Sequence, residues 1–202
     1  ADGSGKSSVI DLMSRALAPH FAQIAIAHLR PAVRSNITGQ PPRVFAPHAQ
    51  EPRGPIASVA KIGYYVASHC VGHLLRVRPV VRRGGLFIFD RYFCDLFVDS
   101  KRYRYGGPRW PIALAWRLVP KPDLVILLDA PAEVLQQRKQ EVSREESERQ
   151  RDAYRLLVER LPNGHIVDAA RPLPEVVADI EDIVIRHMAH RTARRLALEN
   201  AP

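Results

Sequence analysis

Gly3-Ser4-Gly5-Lys6-Ser7, with Asp2 before it and Ser8 after it, matches the end of the pattern G-x-x-x-x-G-K-[ST] and opens directly into a helical stretch. Glycines let the backbone curl until its amides converge on a phosphate, and the helix N-terminus adds partial positive charge. In that arrangement residues Asp2, Gly3, Ser4, Gly5, Lys6, Ser7 and Ser8 cradle a nucleotide's phosphates. Lys6 reaches the terminal ones and Ser7 holds Mg²⁺. The plain alternative is a glycine-rich cap on an ordinary helix. The pattern's first glycine, and the apolar strand that leads into such a loop, would precede Ala1. The expectation is therefore either a chain that extends upstream or a sheet short of a central strand.

The elements that must hold this loop follow from hydrophobic period and Gly/Pro punctuation. Residues 6–17 are helical in pattern, with Val9, Leu12, Met13, Ala16 and Leu17 on one side. Residues 23–29 read as a strand and 41–55, rich in Pro, Arg and His, as a long irregular loop. Residues 56–78 read as a second helix, stopped near Pro79 because proline supplies no amide. The runs 86–89 and 124–128 are apolar throughout, like parallel strands covered on both faces, and end in Asp90 and Asp129. Residues 131 to about 140 and 145–160 are helical, the latter opened by Ser143 and Glu146 in capping-box spacing. A short strand at 166–168 precedes a closing helix from 173 to about 196, in which Val176, Val177, Ile180, Val184, His187 and Met188 keep the 3.6 period. Alternating strands and helices predict one α/β domain with a mainly parallel sheet.

Composition sets outer limits. Of 202 residues 46% are hydrophobic and 25% charged, which excludes wholesale disorder. No apolar run approaches the ~20 residues of a membrane span and no leader pattern opens the chain, so a soluble, cytoplasmic protein is expected. Thirty Lys and Arg against 21 Asp and Glu leave a net charge of +9, suited to polyanions such as nucleotides, nucleic acid or acidic lipid. Cys70 and Cys94 lack metal-ligand spacing and fit packing in a reducing compartment. His69 and His73, four apart, lack the rest of a metal-binding helix motif.

Taken with the D-G-S-G-K-S loop, Asp90-Arg91-Tyr92 at a strand end resembles the thymidylate kinase branch of the P-loop nucleoside monophosphate kinases. The likeness runs on through Lys121-Pro-Asp-Leu-Val-Ile-Leu-Leu-Asp-Ala-Pro to Arg138-Lys139 and the charged helix beyond. It implies a single α/β domain over 1–202 with the P-loop three-layer sandwich, strand order resembling 2-3-1-4-5, and a lid at about 138–151. It also implies ATP and Mg²⁺ as cofactors and phosphoryl transfer from ATP to a nucleoside monophosphate or similar small phosphorylated acceptor. By resemblance Asp90 organises Mg²⁺ water or the acceptor phosphate, and Arg91 clamps phosphate oxygens through its planar fork. The alternative is that these two merely pair with each other. Arg138 leads the candidates for a lid cation in the transition state, with Lys139 and Arg144 behind it, whereas Arg149 and Arg155 suit a solvated helix face. Asp129 is either a helix-initiating residue or a rival to Asp90 near the metal.

On the acceptor side the resemblance points to Arg30, Arg53, Lys61, Tyr65 and Tyr92, with Tyr64 and the Tyr103-Arg-Tyr-Gly-Gly segment nearby. Tyr65 could equally be core. Arg171, with Ala170, follows the last strand where relatives pass a loop under adenine. His28-Leu-Arg-Pro stands where the family carries Arg-Glu-Pro-Gly-Gly, and no thymine-reading glutamine follows Asp90-Arg91-Tyr92, which leaves the acceptor open. Alternatives are a kinase for a nucleoside or cell-envelope metabolite, and a catalytically weak nucleotide-binding or nucleic-acid-associated protein. The arginine clusters at 76–83 and 191–195 favour the last. No helix-turn-helix, zinc or RNA-binding signature supports nucleic acid as a partner. Self-association into a homodimer is left open.

Overall fold

Four strands of five residues each form two parallel ladders in the computed structural model, whose described residues are 5–29, 31, 51–131, 133–134 and 143–199. The element order is α1 (Lys6–Leu17), a 3₁₀ turn (Ala18–His20), β1 (Ile24–His28), α2 (Pro55–Gly72), a π turn (His73–Val77), α3 (Arg78–Arg82) and β2 (Leu86–Asp90). Then come α4 (Asp95–Val98), α5 (Trp110–Leu118), β3 (Val125–Asp129), α6 (Arg144–Glu159), β4 (Gly164–Asp168) and α7 (Leu173–Glu199). β1 pairs with β2, bringing His28 opposite Asp90, and β3 pairs with β4, bringing Asp129 opposite Asp168. The fold is thus α/β with parallel strands, and its ladders are β1–β2 and β3–β4 among the described residues.

Side-chain alternation along the strands assigns their two faces. Leu86 and Ile88 of β2, with Ile126 and Leu128 of β3, pack against Val9, Met13 and Leu17 of α1 and Val176, Val177, Ile180 and Val184 of α7. The Phe87 and Phe89 rings meet at a tilt, centroids 4.9 Å apart, and Phe89 meets His69 of α2 and Tyr92. A second core gathers Ile62 and Tyr65 of α2, Phe93, Leu96, Tyr103, Tyr105 and Ile112 and Ala115 of α5. Each large apolar side chain buried this way stabilises the fold by about 1.5–3 kcal/mol.

One expectation is corrected here and one helix is added. The second helix does not stop at Pro79 but continues to Arg82, because the π turn at His73–Val77 shifts the hydrogen-bond register just ahead of the proline. The helix at Trp110–Leu118 was not anticipated; Pro111 near its start is a usual first-turn residue. By contrast Ser143 caps α6 as its spacing predicts, its Oγ accepting from the Glu146 amide at 3.3 Å. The helix expected at 131–140 lies largely outside the described residues.

Candidate active site

Gly5 takes φ 76°, a left-handed turn open to glycine, and hands the chain into α1 at Lys6. Ser7 and Ser8 are exposed in the first turn and Lys6 is half-buried. This places the first-turn amides and a cation at one helix end, the arrangement a phosphate requires. Asp2, Gly3 and Ser4 lie outside the described residues, as do Arg30, Arg138 and Lys139.

The end of β2 supplies the acid. Asp90 Oδ2 accepts from His28 Nδ1 at 3.2 Å across the ladder, and Asp90 Oδ1 is buried with no hydrogen-bond partner among the described residues. Burial pushes this carboxyl up, but the His28 hydrogen bond and the charges of His28, Lys6 and Arg91 outweigh it and hold it below the usual carboxylate range. An ionised carboxylate with an unsatisfied inward oxygen, under the influence of Lys6, suits a cation or its water. That is the chemistry Mg²⁺ or its bound water would meet at Asp90.

Arg91 follows with φ 75°, a conformation a branched or bulky side chain adopts only when its surroundings enforce it. Its Nη1 donates to Asp95 Oδ2 at 3.0 Å, the two side chains being 7% and 11% exposed. Arg91 is thus paired with Asp95, while its charge also acts on the Asp90 carboxylate. Tyr103 Oη donates to the same Asp95 oxygen at 3.3 Å, and Lys61 Nζ donates to the Tyr103 carbonyl. The segment 99–108 is tied to the entry of α2: the Arg53 amide donates to Arg104 O at 3.0 Å, Arg104 Nε to Glu51 O at 3.0 Å, and the Gly106 amide to Ser58 Oγ at 3.0 Å.

The other acceptor-side candidates separate. Arg53 is exposed at the start of α2. Lys61 is engaged with Tyr103 and lies 5.4 Å above the Tyr65 ring. Tyr65 is a core residue, 6% exposed, because its helical position faces Phe93 and Leu96, and Tyr64 takes the outer position. The Tyr92 ring meets His69 edge-on, centroids 4.8 Å apart, and its hydroxyl donates to Pro120 O at 2.5 Å. Arg171 is drawn into ion pairs with Glu175 and Asp179 on α7 at 2.9 and 2.5 Å.

Asp129 is held by two arginines of α6. Arg151 Nε and Nη2 donate to its two oxygens at 2.7 and 2.8 Å, and Arg155 Nη1 donates to Oδ2 at 2.7 Å. Burial raises this carboxyl and the two guanidinia more than reverse that, so it stays ionised below the ordinary range. Arg155 is thus corrected from solvated face to strand anchor. The signal was there in Arg151 and Arg155, four apart on one face of an otherwise charged helix. On the exposed face Arg149 pairs with Glu146 at 2.7 Å, and Arg144 bonds Glu148 at 2.9 Å and also Glu133.

Comparison with known proteins gives concordant results. The family model for thymidylate kinase matches residues 1–180. A "Probable thymidylate kinase" of Pyrobaculum calidifontis is 32% identical over 200 residues, covering 93% of this chain and 94% of the relative. The thymidylate kinase of Chromohalobacter salexigens is 29% identical over 160 residues, 70% of this chain and 71% of the relative. The crystal structure of thymidylate kinase from Ehrlichia chaffeensis superposes with a TM-score of 0.60 at 14% identity, over 91% of this chain and 94% of that one, a likeness of fold.

Proposed function

The chain belongs to the thymidylate kinase family, and from that premise we propose how its residues divide the work of a nucleotide kinase that moves a phosphoryl group from ATP to a nucleoside monophosphate. The acceptor we propose is dTMP. The observation that carries this reading is the strand end at Asp90, where the charge of Lys6 from the phosphate cradle and that of Arg91 act on one carboxylate. Donor and acceptor phosphates meeting there would be in-line neighbours.

Gly5, Lys6, Ser7 and Ser8, with Asp2, Gly3 and Ser4 ahead of them, hold the ATP phosphates. Ser7 and Asp90 would hold Mg²⁺, which when bound neutralises phosphate charge. Arg91 clamps the acceptor phosphate, and Arg138 in a lid at 138–151 supplies a further cation to the transferring group. Arg30 and Arg53 stand on the acceptor side. The sheet order resembling 2-3-1-4-5 accords with β1–β2 and β3–β4 as its outer pairs. Among the described residues no helix is long and apolar enough to cross a membrane. Free thiols at Cys70 and Cys94 accord with a reducing cytoplasm.

A second reading, another small phosphorylated acceptor, is favoured by the missing glutamine after Asp90-Arg91-Tyr92. A homodimer is also proposed, supported by exposed Ile56, Leu74 and Leu75 along the second helix and Trp110, Leu114 and Leu118 along α5. Light scattering tests it: a mass of one chain refutes it. The function is tested by incubating γ-labelled ATP, Mg²⁺ and dTMP with the protein. Labelled dTDP is expected; label appearing only as inorganic phosphate would contradict it.

A further inference from the structure

The end of β2 carries an ion pair that the assigned chemistry does not require. We infer that Asp95 is a positioning residue for Arg91, fixing the guanidinium plane in which an acceptor phosphate is met. The inference rests on the reading of Arg91 as the acceptor-phosphate clamp.

Arg91 leaves the strand in a left-handed conformation, so its side chain departs from the line that the β2 pleat would give it. The 3.0 Å contact from Nη1 to Asp95 Oδ2 is what receives it. This is not an ordinary helix-surface pair: Arg91 precedes α4, and both side chains are almost wholly buried. A buried carboxylate on one guanidinium nitrogen limits rotation about the long arginine side chain. That prepays the entropy of ordering it before substrate arrives.

Asp95 is itself held. Tyr103 Oη donates to the same oxygen, and Tyr103 is tied through its carbonyl to Lys61 on α2. The Asp95 amide donates to Tyr92 O at 3.1 Å, closing the turn that joins the two partners. Tyr154 of α6 is buried beside this cluster and feels the charges of both Asp95 and Arg91. Arg91 thus reaches α2 through three successive contacts, each made by a side chain that is buried or half-buried. Positions of this kind, locked behind a contact residue, set how tightly a site is pre-organised.

The test is a double-mutant cycle of Arg91→Ala and Asp95→Asn, with kcat, acceptor KM and urea midpoint measured for each form. Asp95→Asn keeps the shape and removes the charge. It is expected to lower kcat by about 10-fold with acceptor KM changed less than about 3-fold. In the Arg91→Ala background it should leave kcat/KM within about 2-fold, since nothing remains to be positioned, while raising the urea midpoint by relieving a lone buried carboxylate. Tyr103→Phe, which preserves packing, should lower kcat by about 2- to 3-fold and serves if Asp95→Asn does not fold. Equal factors from Asp95→Asn in both backgrounds, or wild-type kcat in both Asp95→Asn and Tyr103→Phe, would overturn the proposal. Wild-type kcat/KM in Arg91→Ala would instead overturn the reading of Arg91, and that outcome is distinguishable because it does not involve Asp95.

Discussion

At the N-terminus of α1 the polar groups are consecutive in the chain and face outward, whereas at the end of β2 they come from residues 61, 91, 95 and 103 and are closed in on one another. The first region works through backbone geometry: a left-handed glycine and the first-turn amides of a helix. Almost any chain with those residues in that order can build it. The second works through side chains brought from two helices and a loop, each satisfied by the next. On the proposed reading the first region serves the donor and the second the acceptor.

The comparison breaks most visibly if the two ends are not separable. Lys6→Ala should lower kcat/KM by on the order of 10²–10³-fold and weaken ATP binding in calorimetry, with acceptor affinity preserved. Arg91→Ala should cost on the order of 10²-fold, divided between a higher acceptor KM and a lower kcat, with ATP KM unchanged. If each variant altered both substrates alike, the two regions would form one unit. Arg138→Ala should lower kcat by about 10-fold with little change in either KM, the pattern of a contact made mainly in the transition state.

Stability sharpens the same contrast between closed and open pairs. Asp129→Asn removes the carboxylate shared by Arg151 and Arg155, whose side chains are 31% and 40% exposed, while Arg155 keeps Glu159 at 3.7 Å. It should cost about 2 kcal/mol in urea denaturation, less than the ~3–5 kcal/mol of a fully buried pair because water reaches the guanidinia. The smallest effect belongs to Glu146, which Arg149 holds down to about 2 against an ordinary 4.5. A depressed carboxylate stabilises the fold above its unfolded value and ceases to do so as pH falls through its folded one. The Glu146 contribution should therefore fade from about pH 4.5 toward about pH 2, and Glu146→Gln should flatten the urea midpoint across that window.

The same physical difference decides how much could be read from the chain alone. The helix over residues 6–17, the apolar strands ending in Asp90 and Asp129, and the Ser143 cap were legible because each depends on neighbours within four residues. Gly5-Lys6-Ser7 was legible for the same reason. Asp95 was not, since its role depends on the left-handed turn at Arg91 and on Tyr103 eight residues further on. Asp129 was visible as a strand-ending acid, but its partners lie 22 and 26 residues away and appear only when α6 packs on β3. Tyr65 and Tyr64 differ by one helical position, and only the packed core tells which faces inward.

The most direct measurement is a steady-state survey with ATP and Mg²⁺ held saturating and the acceptor varied across the nucleoside monophosphates and the corresponding nucleosides, with ADP and the phosphorylated product both quantified. The account predicts one diphosphate formed per ADP, the highest kcat/KM for dTMP, and no turnover of any nucleoside. Phosphorylation of a nucleoside hydroxyl, or ADP released without a matching diphosphate, would contradict it.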